Sequence, residues 1–210
     1  VTARLRAQDG RLVGQGRAQV ALAPGEGRVV TLPPVELRRP RLWSPARPHL
    51  YVIETEVRSS GRACDRVDTP FGVRTVRWPA AGDADGRLLL NGEPFFINGV
   101  SDYEHLLGGS HAFSAAQVRA RVRQIEAAGF NAFRDAHHPH NLRFQEHWDR
   151  DGLLWWPQFG AHIWFDSDAF RRHFKGLLRD WVRERRNSPS LVLWGLQNES
   201  QLPAEFAEEC

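Results

Sequence analysis

Residues 191–200 read Leu191-Val192-Leu193-Trp194-Gly195-Leu196-Gln197-Asn198-Glu199-Ser200. Apolar or small residues run unbroken from Leu191 to Leu196 and then give way to polar ones. That pattern predicts a strand buried on both faces, as in a parallel sheet covered by helices. In such sheets functional groups gather where the strands end, and Asn198 and Glu199 stand at that end. A carboxyl facing the mouth of a barrel is partly desolvated, which favours its protonated form and suits a general acid. Asn198 beside it can hydrogen-bond a substrate hydroxyl. The plainer alternative makes Asn198 or Ser200 a cap of the next helix, with Glu199 in its first turn. Asn198-Glu199-Ser200 also fits the glycosylation sequon, which at a buried strand end reads as a coincidence.

Working back from this stretch, the chain alternates strand and helix. Phe95 to Val100 is a short apolar run that reads as a first strand. Ser114 with Gln117 forms a capping box, Val118, Val122 and Ile125 recur at helical spacing, and Gly129 stops the helix. Asn131 to Arg134 reads as a second strand, and about Leu142 to Arg150 as a helix ended by Gly152. Leu153 to Trp156 reads as a third strand; Phe170, Phe174, Leu177 and Trp181 mark the buried side of a long helix. Successive β/α units of this kind form a parallel sheet, either doubly wound or the opening half of a (β/α)8 barrel. The expected strand ends carry Asp102, Tyr103, Glu104 and His105; Arg134, Asp135, His137, His138 and His140; Trp156, Gln158 and His162; and Asn198 with Glu199. Polar groups beside aromatics at every end exceed what stability alone requires.

Residues 1–78 have a different rhythm. Ala3 to Ala7, Ala18 to Ala23, Val29 to Leu32 and Tyr51 to Val57 alternate with period two, punctuated by Asp9-Gly10 and Pro24-Gly25. Short strands between Gly and Pro breaks predict an antiparallel β-sandwich, closed by Phe71 to Trp78. A polar, Gly-rich connector over residues 79–87 then separates it from the β/α region at 88–210.

The composition, 41% hydrophobic and 25% charged over 210 residues, is that of a globular chain and excludes a disordered tail or a collagen-like fibre. No run approaches the roughly 18 apolar residues of a spanning helix, so no membrane partner is expected. Lys175 is the sole lysine, and the arginines are dispersed along the chain. That argues against a polybasic patch and a nucleic-acid partner. Cys64 and Cys210 make neither a disulfide framework nor a metal-ligand spacing, and they leave the compartment open. The chain has no methionine and opens at Val1 inside a strand pattern, as a piece of a longer chain would.

Taken together, several stretches resemble glycoside hydrolase family 2. Leu90 to Val100, Gly129 to Pro139, Asp149 to Trp155 and Asn187 to Ser200 are similar to the first four strand regions of that family's catalytic barrel. Leu42-Trp43-Ser44-Pro45, Pro48-His49-Leu50-Tyr51 and Phe71-Gly72-Val73-Arg74 resemble the immunoglobulin-like domain before it. The resemblance implies a fold: an immunoglobulin-like β-sandwich followed by the first four β/α units of a truncated (β/α)8 TIM barrel.

The resemblance also implies a retaining exo-β-glycosidase acting on an oligosaccharide or β-glycoside, with no cofactor. It makes Glu199 the general acid/base, Asn198 the ligand of the hydroxyl beside the anomeric carbon, and Arg134 the support of the nucleophile and pocket floor. His137 would contact the glycone, and Asp102 and His105 would sit in the variable first loop. Trp156 and Trp164 offer faces on which a pyranose can stack. The nucleophile would follow the seventh strand, outside this chain, so the segment alone is expected to be inactive. Gln158 departs from the family, many of whose members carry an acidic residue there, which bears on glycone choice and on any magnesium site. Two alternatives stand beside this reading: a non-catalytic carbohydrate-binding relative, and a metal-dependent barrel hydrolase using His138 and His140 with His162 and His105.

Overall fold

The computed structural model describes residues 1–104, 114–160, 164 and 166–210. His105 and His162 therefore lie outside the described residues. The chain divides into two compact units: Val1–Trp43 with His49–Val73, and Ser44–Pro48 with Arg74–Cys210.

The first unit is built on one antiparallel sheet, ordered β2-β1-β3-β4, from β1 (Thr2–Arg6), β2 (Leu12–Arg17), β3 (Tyr51–Ser59) and β4 (Arg62–Phe71). Buried Glu54 on β3 accepts from Arg4 Nη1 at 2.9 Å and Arg6 Nε at 3.1 Å, tying β1 to β3. The Ala18–Ala23 and Val29–Leu32 strands do not form; among the described residues this unit has a single regular sheet. Pro24, Pro33 and Pro34 lack the N–H that a ladder needs. The segment instead lies against β2, where Gly14 and Gly16 leave room for Val35 and Pro33.

The sandwich was expected to run to Trp78, yet the division falls at Val73. Arg74 belongs to the second unit because its Nε donates to the Pro189 carbonyl at 2.9 Å and its Nη2 to that of Leu191 at 2.5 Å. Trp78 Nε1 likewise donates to the Val192 carbonyl at 2.7 Å. β5 (Val76–Arg77), β6 (Leu89–Leu90) and β7 (Glu93–Pro94) make a small antiparallel sheet.

The second unit is centred on parallel strands β8 (Gly99–Tyr103), β9 (Ala132–Ala136) and β10 (Leu154–Trp156), ordered β10-β9-β8. The first strand thus begins later than the Phe95–Val100 run. Residues before it are held differently: Asn131 Oδ1 accepts from Asn98 N, and Asn131 Nδ2 donates to the Phe96 carbonyl. The 191–196 run is extended beside β10 but is no continuous strand. Leu191 and Gly195 make isolated parallel bridges to Trp155 and Gln158, and Leu193 is exposed rather than buried.

Helix α1 (Ala115–Ala127) starts at the expected Ser114–Gln117 capping box and buries Val118, Val122 and Ile125; Gly129, at φ 82°, follows it. α2 (Leu142–His147) leads into a π-helical turn, Trp148–Gly152. Gly152 has φ 90°, and a Cβ there would lie 2.3 Å from the Pro45 carbonyl oxygen, so only glycine fits. α3 (Asp168–Arg185) buries Phe174, Leu178 and Trp181. Leu177, expected inside, is 63% exposed because the buried stripe falls one residue later. α4 (Ala204–Glu209) adds Phe206 to the same cluster. The main core, between sheet and helices, contains Val118, Val122, Phe133, Phe144, Trp148 and Trp155.

The opposite, concave side of the sheet opens a cavity of about 340 Å³ whose apolar lining includes Trp78, Ile97, Ala132, Leu154, Val192 and Leu193.

Candidate active site

Strand alternation decides which side chains can meet. On β9, Phe133 and Asp135 face the helices, and Arg134 between them faces the concave side with Trp156 of β10, opposite it in register. The Arg134 guanidinium stacks over the Trp156 ring, 4.6 Å from its centroid. Its Nη2 donates to Gln158 Oε1 at 3.0 Å and to Asn198 Oδ1 at 2.8 Å. These bonds join the ends of β9, β10 and the 191–198 segment into one polar cluster at the rim of the apolar cavity.

Asn198 is buried and spends its carbonyl oxygen on Arg134. It caps no helix: α4 begins beyond it, after Pro203, and Ser200 N donates to Gln197 Oε1 at 2.6 Å. That disposes of the helix-cap alternative and leaves Asn198 a poor glycosylation acceptor. Glu199 follows directly in a left-handed backbone conformation, φ 50°, which costs a non-glycine residue about 1–2 kcal/mol. The residue is exposed, so the desolvation expected of it is not present here. The neighbouring carboxylates turn away from the cluster: Glu209 pairs with Lys175, and Glu205 lies 3.9 Å from Arg171, both on α3.

His137 follows β9 across a cis peptide bond, and its ring meets Tyr103 edge-on at 5.2 Å. Asp102 does not join the cluster. It lies on the helix face of β8 and pairs with Arg121 of α1 at 3.2 Å, because the strand extends past it and alternation turns it outward. Trp164 sits in an aromatic cluster with Phe170, Phe174 and Phe206, away from the Arg134 cluster. His140 also lies behind the sheet, its Nδ1 3.7 Å from Asp135 Oδ1. Among the described residues no three His, Cys, Asp or Glu side chains converge as a metal site. Among them, too, no helix is long and apolar enough to cross a membrane.

Gln158, notable in the sequence only as a departure from the family resemblance, joins the same cluster. It is 0% exposed and serves as an acceptor for Arg134. Gly195 makes that placement possible: a Cβ there would meet Trp156 Nε1 at 2.7 Å and Gln158 Oε1 at 2.8 Å. The signal for both was a glycine within an apolar run beside a strand that ends in Gln.

In β/α barrels the carboxyl ends of the parallel strands are where active sites sit, and Arg134, Trp156, Gln158 and Asn198 meet at those ends here. Residues 84–209 match the family model described as "Glycosyl hydrolases family 2, TIM barrel domain", and residues 1–74 match "Glycosyl hydrolases family 2". The chain belongs to glycosyl hydrolases family 2, with its immunoglobulin-like and TIM-barrel regions represented. It is 26% identical over 189 residues to a beta-glucuronidase of Bacteroides fragilis, covering 84% of this chain and 27% of that protein. It is 27% identical over 207 residues to a beta-galactosidase of Bacteroides ovatus, covering 95% of this chain and 24% of that protein. In fold it is similar to the crystal structure of a glycosyl hydrolase family 2 member from Bacteroides cellulosilyticus. The TM-score is 0.85 at 23% identity, over 100% of this chain and 27% of that one. The chain thus spans roughly a quarter of the length of each of these proteins.

Proposed function

We propose that the protein carrying this chain is a retaining exo-β-glycosidase and that Glu199 is its general acid/base. The observation that carries the reading is the Arg134–Asn198 hydrogen bond, 2.8 Å, which brings the Asn198–Glu199 pair to the end of β9. Asn198, held by Arg134 through its carbonyl oxygen, presents its amide Nδ2 to the hydroxyl beside the anomeric carbon, while Trp156 and His137 bound the glycone. In the first step Glu199 gives its proton to the glycosidic oxygen as the C–O bond breaks. A second carboxylate, about 5–5.5 Å away in a retaining enzyme, attacks the anomeric carbon. In the second step Glu199 takes a proton from water, which displaces that carboxylate. From the family resemblance we expect the second carboxylate after a seventh strand, outside these 210 residues, and within them Glu205 and Glu209 lie toward Arg171 and Lys175 of α3. The isolated chain is accordingly expected to be inactive.

The test is Glu199→Gln in the full-length protein. Turnover of β-glycosides with poor leaving groups should fall by about 10²–10⁴-fold. Activated aryl glycosides, which need little protonation, should lose far less. Equal losses for both would count against the assignment. The neutral Gln158, where many relatives carry an acid, favours one second reading, a carbohydrate-binding relative without turnover. Binding of an intact oligosaccharide by the full-length protein with no cleavage would select it.

A further inference from the structure

β9 carries two ionisable neighbours that point to opposite sides of the sheet. Arg134 faces the pocket, and Asp135, next in the chain, is 0% exposed behind it. Asp135 Oδ1 accepts the indole Nε1–H of Trp155 at 2.8 Å, and Oδ2 accepts the backbone N–H of His140 at 3.4 Å. Each donor is one short step from the pocket. Trp155 precedes Trp156, on which Arg134 stacks, and His140 ends the loop that His137 begins. The loop is pinned from behind by two further groups. Glu104 accepts the Asn141 N–H at 2.5 Å, and Arg185 of α3 donates to the His140 carbonyl at 3.4 Å.

We propose that Asp135 is a positioning residue of the glycone pocket: from behind β9 it fastens both the Trp155–Trp156 wall and the 137–141 loop. The inference rests on reading Arg134, Trp156 and His137 as that pocket. Its charge state then matters in front of the sheet. Burial raises Asp135 to about 7; the Trp155 and His140 hydrogen bonds and the Arg185 charge oppose the rise, and Glu104 adds to it. The His140 ring faces the same carboxylate, its Nδ1 3.7 Å from Asp135 Oδ1, with the His138 ring packed on it; Asp102 lies opposite in register on β8, itself paired with Arg121 of α1 at 3.2 Å. An ionised carboxylate is the better acceptor for both donors. The hold is therefore strongest well above about 7, half lost near that value, and weakens further as pH falls.

The experiment uses the full-length protein labelled with 5-fluorotryptophan, with the Trp155 ¹⁹F resonance assigned by Trp155→Phe. That resonance should shift with a midpoint near neutral pH and become static in Asp135→Asn. In parallel, kcat/KM on an aryl β-glycoside should show a rising limb at the same midpoint. Asp135→Asn should remove the limb and lower kcat/KM by between about 10- and 100-fold, chiefly through KM. Should Asp135→Asn fail to fold, Trp155→Phe alone decides: loss of a donor that lowers the Asp135 pKa should move the limb to higher pH, and an unmoved limb overturns the proposal. A Trp155 resonance static from pH 5 to 9 in the folded protein also overturns it, as does a wild-type pH profile and KM in Asp135→Asn. If no glycoside is cleaved, the glycosidase reading falls, while the fluorine titration still decides whether Asp135 holds Trp155.

Discussion

Gly195 shows how little space the cluster has. With Trp156 Nε1 and Gln158 Oε1 within 3 Å of where its Cβ would stand, Gly195→Ala must push on the residues that position Arg134. Overpacking of this kind costs about 1–3 kcal/mol. Urea denaturation of the variant should show that loss, and the full-length protein should lose activity at 25 °C beyond what its unfolded fraction explains. Asp135 stands in the opposite relation to stability. Its pKa is raised in the folded state, so between the ordinary carboxylate range and about 7 the native chain binds a proton that the unfolded chain has released. Stability contributed at this residue is therefore present at acid pH and falls as pH rises through that window. The carboxylate that would position the pocket best is thus held at some expense to the fold.

At the level of elements, α1 is the clearest case of local sequence dictating structure. Ser114 Oγ accepts the Gln117 N–H at 3.3 Å while Gln117 Oε1 accepts the Ser114 N–H at 2.7 Å. Ser114→Ala should cost about 1 kcal/mol, read as a lower thermal midpoint, with the Arg134 cluster unchanged. That helix was legible because cap, period and stop agreed within a few residues. The 191–196 run was legible as extended chain beside a parallel sheet, but not as two isolated bridges, because the interruption depends on the side chains of Trp156 and Gln158 across from Gly195. The α3 stripe was one residue out: Leu177 and Leu178 are alike in hydropathy, and only the position of Phe206 and Trp194 decides which is covered. Asp102 and Asp135 could not be placed from sequence for a related reason. A strand end defined one residue differently exchanges the two faces of the sheet, and the side a polar residue takes follows from that register. Arg134, Trp156 and Asn198 share the expected strand ends, and the structure joins them through the Arg134 guanidinium.

On the scale of the whole molecule, the two units rest on different chemistry. The first relies on arginine–glutamate pairs across one sheet, with Glu54 at their centre. The second buries a contiguous aromatic core behind its sheet. Among the described residues the face in front of that sheet has no such cover: Trp78 is 41% exposed and Leu193 36%, around the cavity of about 340 Å³. A contiguous apolar surface in water is stabilised by any apolar group that covers it, another copy of the chain included. Prepared as the 210-residue chain alone, the protein should bind the dye ANS strongly and sediment as concentration-dependent oligomers. Leu193→Ser with Trp78→Ser should reduce both, and a dye-silent monomer at high concentration would show the face to be covered in solution. The same surface that frames the pocket thus sets a practical rule for handling the chain. For the 210-residue chain on its own, the concentration at which it stays dissolved would then be governed by one bare wall rather than by the stability of either unit.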